Sequence, residues 1–169
     1  GKSGRAPRGR ARNTTQAFKY GEAAFYGFAP KPGRNGTIDP MPFAKIETRR
    51  PRTEAEIQAL IEAVYQAQRE ALKVPEDDRQ IRYIEHRPEH FAVPPGKTDN
   101  YTFVEILLFP GRSLEAKRHL YRSIVQRFGA LGIAASDVFI VLQEPPLDNW
   151  GIRGGQPASE VDLGFNLQV

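Results

Sequence analysis

Hydrophobic and polar side chains change their spacing several times after position 41 of the chain. Over Phe43–Thr48 they alternate, which is typical of a strand with one buried face. Over Ile57–Tyr65 the apolar side chains recur every three or four residues, which predicts one apolar face of a helix. Thr53 stands three residues before Glu56, as in a capping box, so the helix is predicted to begin there and to run to about Leu72.

A second set of elements repeats this order about 60 residues further along the chain. Gln80–Glu85 is predicted to be the strand that closes the first set, and Tyr101–Phe109 the strand that opens the second. Another apolar helix face follows, and Val138–Gln143 has the composition of a fourth strand. Single residues match as well, since Arg52 before the first helix corresponds to Arg112 before the second. The sequence therefore indicates an internal duplication of a strand-helix-strand unit.

Each such unit favours two parallel strands that are joined by a right-handed crossover through the helix. Two units side by side predict an α/β fold with one four-stranded sheet and both helices on the same face. The apolar side chains on the other face of this sheet would then need a cover. This arrangement favours a homo-oligomer, in which further copies of the chain supply that cover.

Positive charge is concentrated at the start of the chain. Residues 1–40 hold eight basic and two acidic side chains, while the net charge of the whole chain is +4. Glycine, arginine and proline dominate the first twelve residues, which leaves little to bury. We therefore predict a basic, flexible extension over residues 1–40 and a folded domain over residues 41–169. Because the domain itself is close to neutral, nucleic acid is not a predicted partner.

Several classes of protein are disfavoured by what the sequence lacks. The chain has no cysteine, which excludes disulfides and thiolate chemistry. No apolar run approaches the roughly 18 residues needed to cross a bilayer, and no secretory signal is recognisable, so a cytoplasmic location is predicted. His86 and His90 have the spacing of a helical zinc pair, but Pro88 between them disfavours a helix. No metal site and no cofactor are predicted.

A duplicated β-α-β pattern that opens with Met41-Pro42 resembles the tautomerase superfamily, and most closely its malonate semialdehyde decarboxylase branch. The resemblance covers roughly residues 42–150 and continues more loosely toward the C-terminus. It is carried by the segments MPFAKIE, RTEAE, VPEDDR with the following EHRPEH, FPGRS and DNWGIRGG. It implies a homotrimer whose initiator methionine is removed and whose N-terminal proline, here Pro42, is the catalyst.

The same resemblance implies roles for further residues. Asp78 falls where the family has an essential aspartate, and Arg112 falls where it has a carboxylate-binding arginine. The family's decarboxylase carries a second arginine two residues earlier, where this chain has Pro110, and this departure weakens a prediction of decarboxylation. The implied apolar wall of the substrate site consists of Trp150, Ile152 and Phe165.

The chemistry of a terminal proline explains why such a residue can catalyse. A free prolyl nitrogen is a secondary amine, and an α-amino group titrates near pH 7.7–8.0 when nothing perturbs it. It can therefore take or give a proton at working pH, whereas the same nitrogen within the chain is an amide and can do neither. The guanidinium of Arg112 can hold a carboxylate through two parallel hydrogen bonds. The predicted substrate is a small oxo, enol or unsaturated carboxylic acid, which would be tautomerised, decarboxylated or hydrated.

A second hypothesis is a non-catalytic protein. If residues 1–40 stay attached, Pro42 carries no amine, and the domain would serve as a binding or scaffold oligomer. Asp78 could then be a surface carboxylate and Pro42 an ordinary proline at a strand edge. Lys117 and Arg118 are predicted to lie on the solvent-facing side of the second helix. Asp137, the counterpart of Asp78 in the second unit, is predicted to be structural.

Overall fold

The computed structural model describes residues 42–74, 76 and 78–163 of the chain. The predicted boundary between an extension and a domain at residue 40 lies outside these residues. The helices and strands of the described part are β1 (Phe43–Thr48), α1 (Glu54–Leu72), β2 (Gln80–Glu85), β3 (Thr102–Leu107), α2 (Leu114–Ala130), β4 (Val138–Gln143), β5 (Gly151–Ile152) and β6 (Gln156–Pro157). No helix in this part is long and apolar enough to cross a lipid bilayer.

Both α-helices begin at a side-chain cap, and the cap of α1 is the capping box that the sequence predicts. Thr53 Oγ1 accepts a hydrogen bond from the Glu56 N–H over 3.3 Å, and the Glu56 carboxylate accepts one from the Thr53 N–H over 2.8 Å. Ser113 Oγ accepts from the Ala116 N–H over 3.1 Å. These contacts satisfy N–H groups that have no partner within the helix itself. The cap on α2 holds the start of that helix directly after Arg112.

The four long strands form one sheet in the order β2-β1-β3-β4. β1 is parallel to β2 and β3 is parallel to β4, while the central strands β1 and β3 are antiparallel. This arrangement confirms the predicted α/β fold of two β-α-β units. Because the central pair is antiparallel, β1 and β2 begin at the edge of the sheet where β3 and β4 end. We call this edge the site edge.

The core lies between the sheet and the two helices, as the alternation of apolar residues predicts. Ile46 in β1 and Ile106 in β3 lie on the core-facing side and are fully buried. On the other side of the sheet, the rings of Phe103 and Phe139 stack with their centroids 5.5 Å apart. Phe139 is 52% exposed in the single chain. The outer face of the sheet therefore carries apolar rings that this chain leaves open to solvent.

Candidate active site

The site edge brings together segments that lie far apart in the sequence. Pro42 precedes β1 directly, and Asp78 lies two residues before β2. Arg112 follows the end of β3, and Glu144 is the first residue after β4. The edge thus gathers the three residues predicted to be catalytic and one carboxylate that the sequence analysis does not identify.

Strand register places Pro42 relative to the other strands. Phe43 pairs with Leu107 across the antiparallel centre, and Leu107 pairs with Gln143. Extending both registers by one residue sets Pro42 beside Leu108 and Leu108 beside Glu144. The Leu108 N–H still donates to the Gln143 carbonyl over 3.0 Å, so the pairing of the third and fourth strands continues to this row. Pro42 is buried there.

Asp78 and Arg112 are both buried, at 7% and 6% exposure. Charged side chains are seldom buried to this extent. Burial lowers the pKa of the Arg112 guanidinium, and the Glu144 carboxylate acts against that change. An arginine keeps its proton under either influence, because the guanidinium is too weak an acid to be deprotonated in a protein. The site edge therefore holds a buried, permanent positive charge that is suited to an anionic ligand.

The backbone around Arg112 is shaped by the residues that precede it. Gly111 has a φ of 118°, in the region that favours glycine over residues with a Cβ. This turn takes the chain from β3 to the cap of α2, so Arg112 lies directly before the N-terminus of a 17-residue helix. The dipole of that helix adds to the positive potential at the guanidinium.

Lys117 does not lie on an open helix face, and the sequence interpretation of this residue is wrong. Its ammonium group forms an ion pair with the Glu144 carboxylate, and the two side chains are only 23% and 22% exposed. Lys117 lies one turn into α2, and Glu144 is contributed by the end of β4. The signal available in the sequence was the place of Glu144 directly after a strand that ends at the site edge. That signal has meaning only once the strand order is known.

Two of the three residues predicted to form an apolar wall, Trp150 and Ile152, pack against other apolar side chains. Trp150 and Ile152 belong to a small apolar cluster with Phe109, Ala158 and Leu163. The rings of Phe109 and Trp150 meet edge to face with their centroids 4.7 Å apart. The sequence predicts Phe109 within the third strand, but it lies two residues after the end of β3. This position is only three residues before Arg112 in the chain. Phe165 lies outside the described residues.

At the opposite edge of the sheet, the residues that correspond to Asp78 and Arg112 in the duplication are bound by other residues of the chain. Asp137 is 1% exposed and accepts hydrogen bonds from Thr98, over 3.0 Å from the N–H and 2.5 Å from Oγ1. Arg52, the counterpart of Arg112, donates through its N–H to Glu85 over 3.3 Å and through Nη2 to Asn100 over 3.5 Å. The contacts of Asp137 match the structural role predicted for it. The two ends of the sheet have therefore diverged in spite of their common pattern.

Replacing Thr98 by valine is expected to make stability less dependent on pH. The Thr98 hydroxyl and N–H lower the pKa of Asp137 below its usual value near 3.9. A lowered pKa in the folded state stabilises the protein above the unfolded-state pKa, and this contribution is lost as pH falls through the folded-state pKa. Thr98→Val should therefore reduce the free energy of unfolding by about 1 kcal/mol at pH 7 and by less at pH 3.

Urea denaturation of parent and variant at the two pH values measures this difference. Asp99→Asn is the matched control, because the Asp99 side chain is 76% exposed and its ion pair with Arg49 should contribute little. A loss for Thr98→Val that is equal at both pH values would contradict the role assigned to this hydrogen bond.

Comparison with known sequences agrees with the resemblance noted above. The family described as "Tautomerase enzyme" matches residues 78–153, a range that includes Asp78, Arg112, Glu144 and Trp150. The protein named "Probable tautomerase YusQ" of Bacillus subtilis (strain 168) is 34% identical over 122 residues. That alignment covers 69% of this chain and 96% of the relative.

Comparison with solved structures gives the same fold. A crystal structure of malonate semialdehyde decarboxylase aligns with a TM-score of 0.61 and 25% sequence identity, over 68% of this chain and 93% of the other. The crystal structure of native fused 4-OT aligns with a TM-score of 0.63 and 19% identity, over 69% of this chain and 96% of the other. An asymmetric trimer of fused 4-OT aligns with a TM-score of 0.63 and 16% identity, with the same coverage. The last two likenesses concern the fold alone.

Proposed function

Because the chain belongs to the tautomerase superfamily, in its malonate semialdehyde decarboxylase-like branch, we propose that it is an enzyme acting on a small oxo, enol or unsaturated carboxylic acid. The observation that carries the proposal is the burial of Arg112 at the edge of the sheet where β1 begins. A permanent cation in a dry setting attracts a carboxylate strongly, because little solvent screens the interaction. Pro42 precedes β1 directly, so the anion would be held near the start of the domain.

Three residues have distinct roles in this proposal. Pro42, freed as an N-terminus, moves a proton between two atoms of the substrate. In the tautomerisation of an enol acid, the enol oxygen loses its proton and becomes a carbonyl oxygen, and the other carbon of the C=C double bond gains a proton, so no further reactant is needed. Arg112 holds the carboxylate through paired hydrogen bonds and fixes the substrate beside the amine. Asp78, buried two residues before β2, orients the substrate or the prolyl ammonium through its negative charge.

Tautomerisation is the reaction that the site supports best. Trp150 and Ile152 form an apolar cluster with Phe109, which would keep water from one side of the substrate. The family's decarboxylase has two arginines in the turn before the helix, whereas this chain has Pro110 and Arg112 there. A single arginine in that turn can hold the carboxylate of an enol acid during proton transfer. Decarboxylation releases neutral CO2 and leaves negative charge on the remaining fragment, which a second arginine would stabilise.

We also propose that the working form is a homotrimer. The outer face of the sheet carries Phe103 and Phe139, stacked and partly open to solvent in the single chain. Covering these rings in an oligomer would bury apolar surface, and each Å² buried contributes roughly 25 cal/mol of favourable free energy. Fused 4-OT, whose fold this chain shares, is described as a trimer.

The test is the N-terminus of the protein made in its native host, read by intact mass and by N-terminal sequencing. We expect a chain that begins at Pro42 and that converts phenylenolpyruvate to its oxo form in a spectrophotometric assay. A chain that retains residues upstream of Pro42 and shows no turnover would contradict the enzymatic function. That outcome would favour the binding or scaffold oligomer instead.

A further inference from the structure

Residues 73–79 connect α1 to β2, and this connection carries Asp78. β1 and β2 are parallel, and Phe43 pairs with Gln80. Extending that register by one residue sets Pro42 beside Arg79, which directly follows Asp78. Asp78 is 7% exposed. The path of the connection therefore decides where the Asp78 carboxylate lies relative to Pro42.

Tyr65 of α1 contacts the connection on both sides of Asp78. Its hydroxyl donates a hydrogen bond to the carbonyl oxygen of Glu76, two residues before Asp78. The guanidinium of Arg79, directly after Asp78, lies over the Tyr65 ring at 5.0 Å from the ring centroid. Tyr65 is itself only 5% exposed. One side chain of the helix thus holds the backbone before Asp78 and the side chain after it.

Two ion pairs also join α1 to the connection, but both are open to solvent. Glu62 pairs with Arg79 over 3.1 Å, and the two side chains are 47% and 41% exposed. Arg69 pairs with Glu76 over 3.7 Å, and the Glu76 side chain is 80% exposed. Exposed ion pairs of this kind contribute little, because water screens them. The hydrogen bond of the buried Tyr65 is directional and better shielded, so Tyr65 is the residue of α1 that best fixes the connection.

We propose that Tyr65 is a positioning residue, which holds the connection so that the Asp78 carboxylate keeps its place beside the Pro42 amine and the substrate. This inference rests on the proposed function and adds to it a residue of the helix layer that touches no reacting atom. A misplacement of about 1 Å in a catalytic group can lower the rate about 100-fold. Loss of one hydrogen bond should loosen the connection rather than displace it, so a smaller effect is expected.

Tyr65→Phe tests the hydrogen bond alone, because it removes the hydroxyl and keeps the ring. Parent and variant are produced in the native host and assayed with phenylenolpyruvate. We expect kcat to fall about tenfold. KM should stay within about twofold of the parent, because Arg112 still binds the carboxylate of the substrate.

A double-mutant cycle with Asp78→Asn shows whether the effect passes through Asp78. Asp78→Asn should be less active than the parent but should keep measurable turnover, since Pro42 and Arg112 remain. In this background Tyr65→Phe should change kcat by less than about twofold, because the carboxylate that Tyr65 positions is already gone. An equal tenfold loss in both backgrounds would mean that Tyr65 acts on the fold in general, and it would overturn the inference.

Tyr83→Phe is the matched control. It also removes a tyrosine hydroxyl from a hydrogen bond within the chain, here with Thr48 Oγ1 over 2.8 Å, but near the opposite edge of the sheet. Its kcat should stay within about twofold of the parent, even if urea denaturation shows a loss of stability similar to that of Tyr65→Phe. A tenfold fall of kcat in Tyr83→Phe would contradict a role specific to Tyr65.

Arg79→Gln keeps the inference testable if Tyr65→Phe does not fold. It removes the guanidinium from the Tyr65 ring, and kcat should fall about threefold in the parent background only. Full activity of Tyr65→Phe beside a loss in Asp78→Asn would overturn the inference and leave the proposed function in place. A parent protein that does not turn over phenylenolpyruvate would overturn both.

Discussion

A chain in which the nitrogen of Pro42 stays acylated is expected to lose about 10⁴-fold in kcat/KM for phenylenolpyruvate, compared with a chain that begins at Pro42. An acylated proline nitrogen has no basic lone pair, so it can neither accept nor deliver the proton that tautomerisation moves. Pro42→Ala, with a free N-terminus, keeps an α-amino group that titrates in the usual range. It should therefore lose less, about 10²-fold, mostly through the position and the rigidity of the amine.

The order of these two losses makes the test specific. General disturbance of the fold would affect the alanine variant at least as much as the acylated chain, whereas loss of the amine affects the acylated chain more. Pro51→Ala is the matched control, because Pro51 lies in an exposed loop between β1 and α1. Its kcat/KM should stay within about twofold of the parent. Full activity in the acylated chain would exclude Pro42 as the acid or base.

Arg112→Ala is expected to lower kcat/KM about 100-fold, mainly by raising KM. Two charge-assisted hydrogen bonds to a carboxylate in a buried setting contribute about 3 kcal/mol, and each 1.4 kcal/mol corresponds to a factor of ten. Arg112→Lys should recover only part of the loss, because an ammonium group is a point charge and cannot form the paired contact. Steady-state kinetics with phenylenolpyruvate separates the effect on KM from the effect on kcat.

The internal duplication supplies the control for this prediction. Arg52 occupies the position in the first unit that Arg112 occupies in the second, but it lies at the other end of the sheet and is bound to Glu85 and Asn100. Arg52→Ala should leave kcat/KM within about threefold of the parent. Equal losses in the two variants would show that the arginines act on the fold rather than on the substrate. No loss in Arg112→Ala would end its assignment as the carboxylate clamp.

Local pattern predicted the elements of this fold closely. The alternation over Phe43–Thr48 and the capping box at Thr53 and Glu56 are properties of neighbouring residues, and the structure has β1 and α1 at those positions. β3 is the exception, since the apolar run continues to Phe109 while the strand ends at Leu107. An apolar run shows that side chains are buried but does not show against what. Phe109 is buried against Trp150 rather than within the sheet.

Some residues of the candidate site could be predicted from the sequence, and others could not. Arg112 and Asp78 could be singled out through resemblance to a family motif, and the structure places both in buried positions at the site edge. For Lys117 and Glu144 the sequence offers only the place of Glu144 directly after a strand, and this does not distinguish a paired charge from a solvated one. Their contact joins residues 27 positions apart and depends on how α2 lies over the end of β4.

The sequence by itself determined which residues alternate, which form helix faces and which units are duplicated, because those patterns follow from the geometry of each element alone. Only the tertiary structure decided that the two units meet through β1 and β3 in antiparallel pairing. Because of that pairing, β1 begins at the edge of the sheet where β3 ends. The pairing brings Pro42 of the first unit to the same edge of the sheet as Arg112 and Glu144 of the second, an arrangement that no local spacing encodes.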